Sequence, residues 1–197
     1  GCARSCRNNG GVNIIGEMNL EYEVEENFAE IARLLSLLGL PVNLRFVHDI
    51  TYNQLPALGA AQLNILRSPA LIPVGQYLRD RFGTPFIPSF PHGLSGTLSF
   101  IGSVAEVCGI DGRQVVGGER TRQAEMIDDF TDLRNSRVSL DPSFSGADEI
   151  RAAGELACAL DLSMETGGDV PLLPASPAVG TAGVRRMLHR WRRAIHA

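Results

Sequence analysis

Apolar and polar positions follow one another in blocks along the first hundred residues. A short apolar run, Val12 to Ile15, is stopped by Gly16, which predicts a buried strand that ends in a polar turn. Residues 28–38 then carry apolar side chains at helical spacing, up to Gly39. Three further apolar runs predict strands at 42–47, 62–66 and 85–88. Strands that alternate with helices predict an α/β fold, with a parallel sheet covered by helices on both faces.

The segments between these strands predict the remaining helices. A short helix is expected from Thr51, interrupted near Pro56. Ser68 followed by Pro69 is typical of an N-cap with proline at the first helical position, before an apolar stripe at residues 71, 74, 78 and 82. A later helix is predicted from about Thr97 to Cys108.

After residue 112 the periodic placement of apolar residues is weaker, but it still predicts helices and a strand. A charged helix with apolar residues on one side is expected up to Leu133. A second α/β unit follows, with a strand at 137–140 and a helix at 147–160. We predict these ranges: 1–10, an irregular N-terminal segment; 11–112, a Rossmann-like α/β domain; 113–135, a connecting helix; 136–168, part of a second Rossmann-like unit; 169–180, a linker; and 181–197, a basic amphipathic helix. The last helix suits an acidic partner or a membrane surface, but packing on its own domain is the commoner arrangement.

Composition excludes several functions. All 18 basic residues are Arg, so a catalytic lysine, a Schiff base and a P-loop lysine are absent. With a net charge of −4 and a pI near 5.6, we expect no nucleic-acid partner. No apolar run reaches the length of a membrane span and no signal-peptide pattern opens the chain, so we expect a cytoplasmic protein without membrane contact. The first turn, G-E-M-N-L-E, lacks the G-x-G-x-x-G pattern, which argues against NAD or FAD.

Polar side chains follow each predicted strand of the first domain. Because parallel α/β sheets bind ligands beyond the carboxyl ends of their strands, these residues are candidates for a ligand site. They are Glu17 and Asn19, His48 and Asp49, Arg67 and Ser68, and Ser89 and His92. Polar loops are common in any globular protein, so packing and solvation remain an alternative for each of them.

The four cysteines do not form a disulfide framework in a chain of this size. Cys108 and Cys158 lie in apolar helical patterns and are interpreted as core residues. Cys2 and Cys6 form a C-x₃-C pair beside arginines, which could contribute to an iron–sulfur cluster, although two ligands are too few for a closed site. The residues by themselves assign no metal ligand.

Several motifs together resemble the nitrogenase component 1 family, which includes molybdenum–iron protein subunits, cofactor-assembly scaffolds and dark-operative tetrapyrrole reductases. They cover about residues 11–134 and are V-N-I-I-G-E-M-N-L, L-L-G-L-P-V, L-N-I-L, R-F-G-T-P-F and F-P-H-G-L-S-G-T. A looser match, G-E-L-A-C-A-L-D-L to T-G-G, resembles the start of the family's next Rossmann-like domain. Family chains are roughly twice as long, so the sequence resembles a middle section of one subunit.

The resemblance implies an iron–sulfur cluster or related metallocluster in the full complex. It also implies two partners, a homologous component 1 subunit and an ATP-dependent iron–sulfur reductase. In the family's molybdenum–iron and scaffold subunits a cysteine that ligates the metal cofactor follows the N-I-L-x strand, whereas Ser68 stands there in this chain. A hydroxyl is a poor ligand for such centres. The tetrapyrrole reductases hold an organic substrate in the same crevice without that ligand.

The leading hypothesis is therefore a subunit of a nitrogenase-like two-component oxidoreductase, whose substrate lies at the carboxyl ends of the strands. Arg67 would supply a fixed positive charge, and His92 would donate a proton, since histidine titrates closest to neutrality. The predicted cofactor-binding residues are Gly16, Glu17, Asn19, Ser68 and Gly93. A cofactor-assembly scaffold and a non-catalytic α/β partner subunit remain alternatives.

Overall fold

The computed structural model describes residues 10–17, 23–48, 50–140, 147–165, 170–173 and 178–197. Their backbone contacts divide the chain into two compact units. The first comprises Gly1–Phe90 with Phe100–Val115, and the second comprises Pro91–Ser99 with Val116–Ala197. This division differs from the domain ranges given above, which stay a prediction.

The first unit is built on a parallel sheet of four strands. They are β1 (Val12–Ile15), β2 (Val42–Phe46), β3 (Leu63–Leu66) and β4 (Phe86–Ile87), and they lie in the order β2-β1-β3-β4. Every residue of β1 and β3 is buried, as expected of central strands in a parallel sheet. The predicted α/β fold with a parallel sheet is confirmed.

Asn13 is the one polar side chain within the buried strand β1. Its Nδ2 donates to Asn64 Oδ1 at 2.8 Å and to the Leu58 carbonyl at 3.0 Å, while its Oδ1 accepts from Asn43 Nδ2 at 2.7 Å. Asn64 lies directly opposite Asn13 on β3. Side-chain amides thus connect three neighbouring strands through the centre of the sheet.

Helix α1 (Val24–Leu37) confirms the predicted apolar stripe, since Ile31, Leu34 and Leu35 are fully buried. The chain leaves the helix at Gly39, whose φ of +70° is the left-handed conformation of a helix C-terminus, and the Leu40 amide donates back to the Leu35 carbonyl at 3.0 Å.

The connection between β2 and β3 is a 3₁₀ helix, Tyr52–Ala60, and the interruption predicted near Pro56 is wrong. Thr51 and Gln54 form a capping box at its start, in which the Thr51 amide donates to Gln54 Oε1 at 2.8 Å. Proline continues this helix because its fixed φ is close to that of a 3₁₀ turn.

Helix α2 (Ile72–Phe82) follows a short 3₁₀ turn, Pro69–Leu71, and its predicted apolar stripe is confirmed in part, since Leu71 and Leu78 pack in the core. Its buried residues are Gly75 and Leu78, whereas Val74 is 37% and Phe82 42% exposed. A Cβ at Gly75 would lie 2.8 Å from the Phe86 ring and 2.9 Å from Leu66. The missing side chain therefore lets the helix approach the sheet closely.

Two helices join the units along the chain: α3 (Gly93–Cys108) and α4 (Arg113–Asp128). Helix α3 begins four residues earlier than predicted. The predicted helix up to Leu133 ends at Asp128 and is followed by a 3₁₀ turn, Thr131–Leu133. Met126, Phe130 and Leu133 are buried together in one core cluster, as their spacing predicted.

The second unit contains a parallel sheet with helices α5 (Ala147–Ala159) and α6 (Gly180–Ile195). Its strands are β5 (Arg137–Leu140), β6 (Ser163–Met164) and β7 (Leu172–Leu173), in the order β6-β5-β7. Within the range 169–180, where a linker was predicted, Leu173 of β7 is fully buried and pairs with Leu140. Asp169 and residues 174–177 of that range lie outside the described residues.

Helix α6 packs into the core of the second unit through Val184, Met187 and Trp191, all fully buried. Arg185 and Arg192 on its other faces form ion pairs with Asp129 and Asp132. Packing on its own unit, the commoner of the two arrangements considered for this helix, is therefore what the structure shows. Among the described residues, none of the helices combines the length and apolar character needed to cross a membrane.

The cysteines differ from their predicted placement. Cys108 is half-buried, but Cys158 is exposed, so its interpretation as a core residue is wrong. The apolar pattern of α5 buries Ala153, Leu156 and Ala157 instead, and leaves position 158 on the outer face. Cys2 and Cys6 lie outside the described residues.

Replacing Gly16 with Ala is expected to destabilise the protein more than replacing Gly39. Both glycines have a positive φ, +95° and +70°, which costs an alanine about 1 kcal/mol. A Cβ at Gly16 would also overlap Leu71 Cδ1, whereas no described atom lies within 4 Å of one at Gly39. The overlap should add roughly 1–3 kcal/mol to the loss of unfolding free energy, measured by urea denaturation.

The double substitution G16A/L71A provides the control. If the overlap with Leu71 is the cause, the double variant should lose at least about 1 kcal/mol less than the sum of the single losses. Equal destabilisation by G16A and G39A would contradict this explanation of Gly16.

Candidate functional site

At the carboxyl edge of the first sheet, Gly16, Arg67 and Ser68 come together. The Arg67 amide donates to the Ile15 carbonyl at 2.9 Å, and the Gly16 amide donates to the Phe46 carbonyl of β2. A Cβ at Gly16 would lie 3.7 Å from Arg67 Cβ. The edge thus gathers three of the predicted site residues from the ends of β1 and β3, with Arg67 and Ser68 both half-buried.

Ser68 occupies the N-cap position of the 3₁₀ turn Pro69–Leu71, but its side chain makes no capping hydrogen bond. Its backbone is extended, with φ −150° and ψ 160°, and its carbonyl accepts from the Leu71 amide at 3.0 Å. The expected position is therefore confirmed, while the hydroxyl does not perform the capping that the sequence suggested.

Glu17 is 1% exposed and is held by Arg45 of β2, a residue that was not among the candidates chosen from the sequence. Arg45 Nε donates to Glu17 Oε2 at 3.0 Å, and Arg45 Nη1 donates to Glu25 Oε2 at 3.1 Å. The guanidinium also lies over the Phe28 ring, 3.8 Å from its centroid. Arg45 therefore neutralises a buried carboxylate at the end of β1.

The contacts within this cluster shift the pKa values of Glu25 and Arg45. The hydrogen bond from Arg45 lowers the pKa of Glu25 below its ordinary value, more than the slight burial of this carboxylate raises it. Burial alone would lower the pKa of Arg45, but its bonds to Glu25 and Glu17 outweigh this and raise it. His48 Nε2 lies 3.2 Å from Glu25 Oε1. Glu25 and Arg45 are thus each held in the charged form by the other.

Of the predicted residues at this edge, Asn19 and Asp49 lie outside the described residues. The signal that could have identified Arg45 is a charged residue inside the strand pattern V-N-L-R-F. Such a residue in a mostly buried sheet requires a counter-charge. For Glu17, the structure supplies a packing partner, and its predicted binding of a cofactor stays a prediction.

In the second unit, His92 and Gly93 are fixed by pairing with residues at the start of α6 and just before it. His92 forms an antiparallel bridge with Val179, the Gly93 amide donates to the Ala178 carbonyl at 2.9 Å, and the Gly180 amide donates to the Pro91 carbonyl at 2.8 Å. The His92 side chain is half-buried. The backbone of the motif P-H-G is therefore held in one position by residues far later in the sequence.

The N-terminus of α3 is occupied by the carboxylate of Glu155, which comes from α5. Glu155 Oε2 accepts from the amides of Leu94 and Ser95 at 3.0 and 3.1 Å, and its Oε1 accepts from the Ser95 hydroxyl. Arg151, one turn earlier on α5, donates to Glu155 Oε1 at 3.2 Å and to the His92 carbonyl at 3.4 Å. An internal anion thus fills the place where a helix N-terminus attracts negative charge.

This contact also explains Gly93. Its φ is +75°, and a Cβ there would lie 2.9 Å from Glu155 Oε2 and 3.0 Å from Ala152 Cβ. The glycine is required because α5 approaches closely, whether or not a cofactor binds. Glu155 was not among the residues chosen from the sequence, although an acidic residue among the apolar positions of G-E-L-A-C-A-L was a visible signal.

A metallocluster of the kind that the resemblance implies needs several thiolate or imidazole ligands close together. Within the part of the chain that the structure describes, no three His, Cys, Asp or Glu side chains come together as a metal site. The two described cysteines, Cys108 and Cys158, lie on different helices. The described residues therefore do not form a cluster site.

The first sheet defines the class: an α/β protein with a parallel sheet whose polar carboxyl edge is typical of ligand sites. The family profile described as Nitrogenase component 1 type Oxidoreductase matches residues 2–140. The chain belongs to this family, which confirms the resemblance found in the sequence.

Similar proteins agree with this assignment. A subunit of the light-independent protochlorophyllide reductase of Jannaschia sp. is 31% identical over 147 residues, which are 74% of this chain and 28% of that protein. The corresponding subunit from Methylobacterium radiotolerans is 34% identical over 111 residues, 56% of this chain and 21% of that protein. This chain therefore spans less than a third of the length of these curated relatives.

The solved structure of nitrogenase Cp1 at pH 6.5 has the same fold, with a TM-score of 0.61 at 16% identity over 95% of this chain and 60% of that chain. The structure at pH 5 gives a TM-score of 0.59 over 93% and 40% of the two chains, again at 16% identity.

Replacing Arg45 with Met is expected to lower the free energy of unfolding by roughly 3 kcal/mol at neutral pH, because it removes the cation from buried Glu17. The matched control is R113M, which breaks an exposed pair with Asp111 at 2.7 Å and should have little effect. Urea denaturation of both variants provides the measurement.

The pH dependence gives a second check on Arg45. The folded-state pKa of Glu25 lies below its ordinary value of 4.5, so its pair with Arg45 stabilises the protein above that pH and is lost as the pH falls. The difference between wild type and R45M should therefore shrink near pH 3. A difference that is the same at pH 7 and pH 3 would refute the assignment.

Replacing Glu155 with Gln is expected to cost about 1 kcal/mol of unfolding free energy, the typical value of a helix N-cap contact. Glutamine keeps the shape but loses the charge that accepts two amides and pairs with Arg151. The control is E106Q on an exposed position of α3, outside this contact. Similar stabilities of E155Q and E106Q would show that the carboxylate does not stabilise the start of α3.

Proposed function

We propose that this chain is part of a subunit of a nitrogenase-like two-component oxidoreductase that reduces a tetrapyrrole. Family membership over residues 2–140 carries the proposal. The substrate class is supported by similar proteins that are named as subunits of light-independent protochlorophyllide reductase. Because the chain spans less than a third of them, the activity belongs to the full-length protein in its complex.

The complex would contain a homologous component 1 subunit and an ATP-dependent iron–sulfur reductase as electron donor. Since the described residues do not form a metal site, the ligands of any iron–sulfur cluster would lie outside them. Such a cluster would supply the electrons. The described residues would bind the substrate and provide a proton.

Ser68 supports an organic substrate over a metal cofactor at the carboxyl edge of β3. It stands where family members with a metal cofactor have a cysteine ligand, and a serine hydroxyl binds soft iron–sulfur centres poorly. Its hydroxyl is also not engaged in capping the following turn. A polar but uncharged group at this position suits contact with an organic molecule.

Arg67 would bind an acidic group of the substrate. Its backbone is fixed to β1 through the bond to the Ile15 carbonyl, and Gly16 beside it has no side chain. A guanidinium can donate two parallel hydrogen bonds to a carboxylate, which orients the substrate as well as binding it. This assigns Arg67 a role in binding, with Gly16, Glu17 and Ser68 forming the surrounding edge.

His92 would donate a proton during reduction. Reduction of an organic double bond consumes protons as well as electrons, and histidine is the usual donor near neutral pH. The bridge to Val179 and the bond from Arg151 to its carbonyl fix the His92 backbone. Glu155 and Arg151 thereby act as positioning residues for His92 and Gly93.

The experiment is anaerobic reconstitution of the full-length protein, co-expressed with its homologous subunit and combined with the ATP-dependent reductase. Protochlorophyllide serves as the substrate, and iron, acid-labile sulfide and the visible spectrum are measured first. The proposal expects a bound cluster and ATP-dependent reduction. Iron that transfers to an acceptor without turnover would favour a scaffold, and an iron-free complex would favour a non-catalytic subunit.

Variants of the assembled complex separate the two roles. R67A should raise KM about tenfold or more, with partial rescue in R67K, because a charge-assisted contact is lost. H92Q should lower kcat about a hundredfold and remove one limb of the pH profile. The control R79A replaces an exposed arginine of α2 and should leave both constants unchanged. Unchanged kinetics in R67A and H92Q would refute the assigned roles.

A further inference from the structure

A groove of about 470 Å³ lies within the second unit, between helices α4 and α6. Its lining combines three arginines with a histidine, a threonine and two carboxylates above a small apolar floor. The residues are Arg122, Glu125, Met126, Asp129, Thr181, Ala182, Arg185, Arg186 and His189. We propose that this groove binds a small phosphorylated anion.

Matching faces of the two helices form the groove. On α4 and the residue after it, the lining positions are 122, 125, 126 and 129, and on α6 they are 182, 185, 186 and 189. Both sets follow the spacing i, i+3, i+4, i+7 of a single helix face. The cationic side chains of both helices therefore converge on the same space.

The charge balance of the groove favours an anion. Three guanidinium groups and two carboxylates line the groove. One of the carboxylates, Asp129, accepts a hydrogen bond from Arg185 Nη2 at 3.0 Å. Arg122 makes no hydrogen bond or ion pair with another residue that the structure describes, so its donors are available to a ligand. Arginine groups on two opposing walls match the several oxygens of a phosphate.

The groove is preformed, because its base is braced by buried hydrogen bonds. Thr181 Oγ1 donates to Glu119 Oε1 at 2.5 Å, and Gln123 Nε2 donates to the Leu94 carbonyl at 3.0 Å and lies 3.4 Å from Thr181 Oγ1. Glu119, Gln123 and Thr181 are all buried. A ligand would thus enter a site whose walls are already ordered, which lowers the entropic cost of binding.

Contacts that hold α4 and α6 together do not by themselves explain why a groove lies between the two helices. An ion pair such as Arg185 with Asp129 connects neighbouring helices without leaving space between them. A volume of about 470 Å³ lies within the usual range of small-molecule sites. The apolar floor of Met126 and Ala182 would contact the non-ionic part of the ligand.

The test is isothermal titration of the full-length protein with pyrophosphate. We expect saturable binding at one site, weakening as salt is added, and at least about tenfold weaker binding in R122A and R186A. The controls R120A and R193A remove exposed arginines from the same two helices, outside the groove, and should change the affinity less than about twofold. Citrate serves as a second probe, and tighter binding of citrate than pyrophosphate would overturn the choice of a phosphorylated ligand.

Absence of saturable binding up to about 5 mM pyrophosphate, or equal losses in the groove variants and their controls, would overturn the proposal. Circular dichroism and urea denaturation verify that each variant is folded. Arg122 is exposed, so R122A carries the test even if R186A disturbs the packing of α6. Binding is measured without turnover, so the outcome is independent of the proposed reductase activity.

Discussion

The first unit depends on satisfying one buried amide, the side chain of Asn13 at the centre of the sheet. An unpaired amide there would cost more than most single contacts provide, so the strands must align where Asn13 meets Asn64 and Asn43. A shift of β1 against β3 by one residue would break these bonds and turn the side chain to the opposite face. The register that results places Gly16 and Arg67 side by side at the carboxyl edge.

The need to satisfy polar groups that are removed from water also governs the charged groups of both units. Glu17 is buried at the end of β1 and is neutralised by Arg45, while Glu155 satisfies the amides at the start of α3. Each pair joins segments distant in sequence, and each holds a part of a family motif in place. Polar residues in such motifs therefore stabilise the fold, and a proposed role in binding a ligand has to be separated from this structural role.

The pattern of apolar residues predicted correctly those elements whose structure depends on residues close together in the sequence. The buried run Val12 to Ile15 and the stripe of α1 have strong periodicity, and the structure reproduces both. The start of α3 was placed too late because Glu155, distant in the sequence, caps it at Gly93. The burial of β7 and the exposed position of Cys158 likewise depend on tertiary packing. Arg45 and Glu155 were missed because their importance lies in partners that a single sequence does not connect.

The packing around each predicted site residue also changes how strongly that residue indicates a ligand. Leu71 explains the glycine at position 16, and α5 explains the glycine at 93, so neither requires a cofactor close to the backbone. Ser68 shows the opposite case, because the capping role expected of its hydroxyl is not fulfilled. At the carboxyl edge of β3, the hydroxyl of Ser68 is thus the group that local packing explains least. The proposed roles of Arg67 and Ser68 in binding a substrate therefore rest on their side chains and do not require the two glycines.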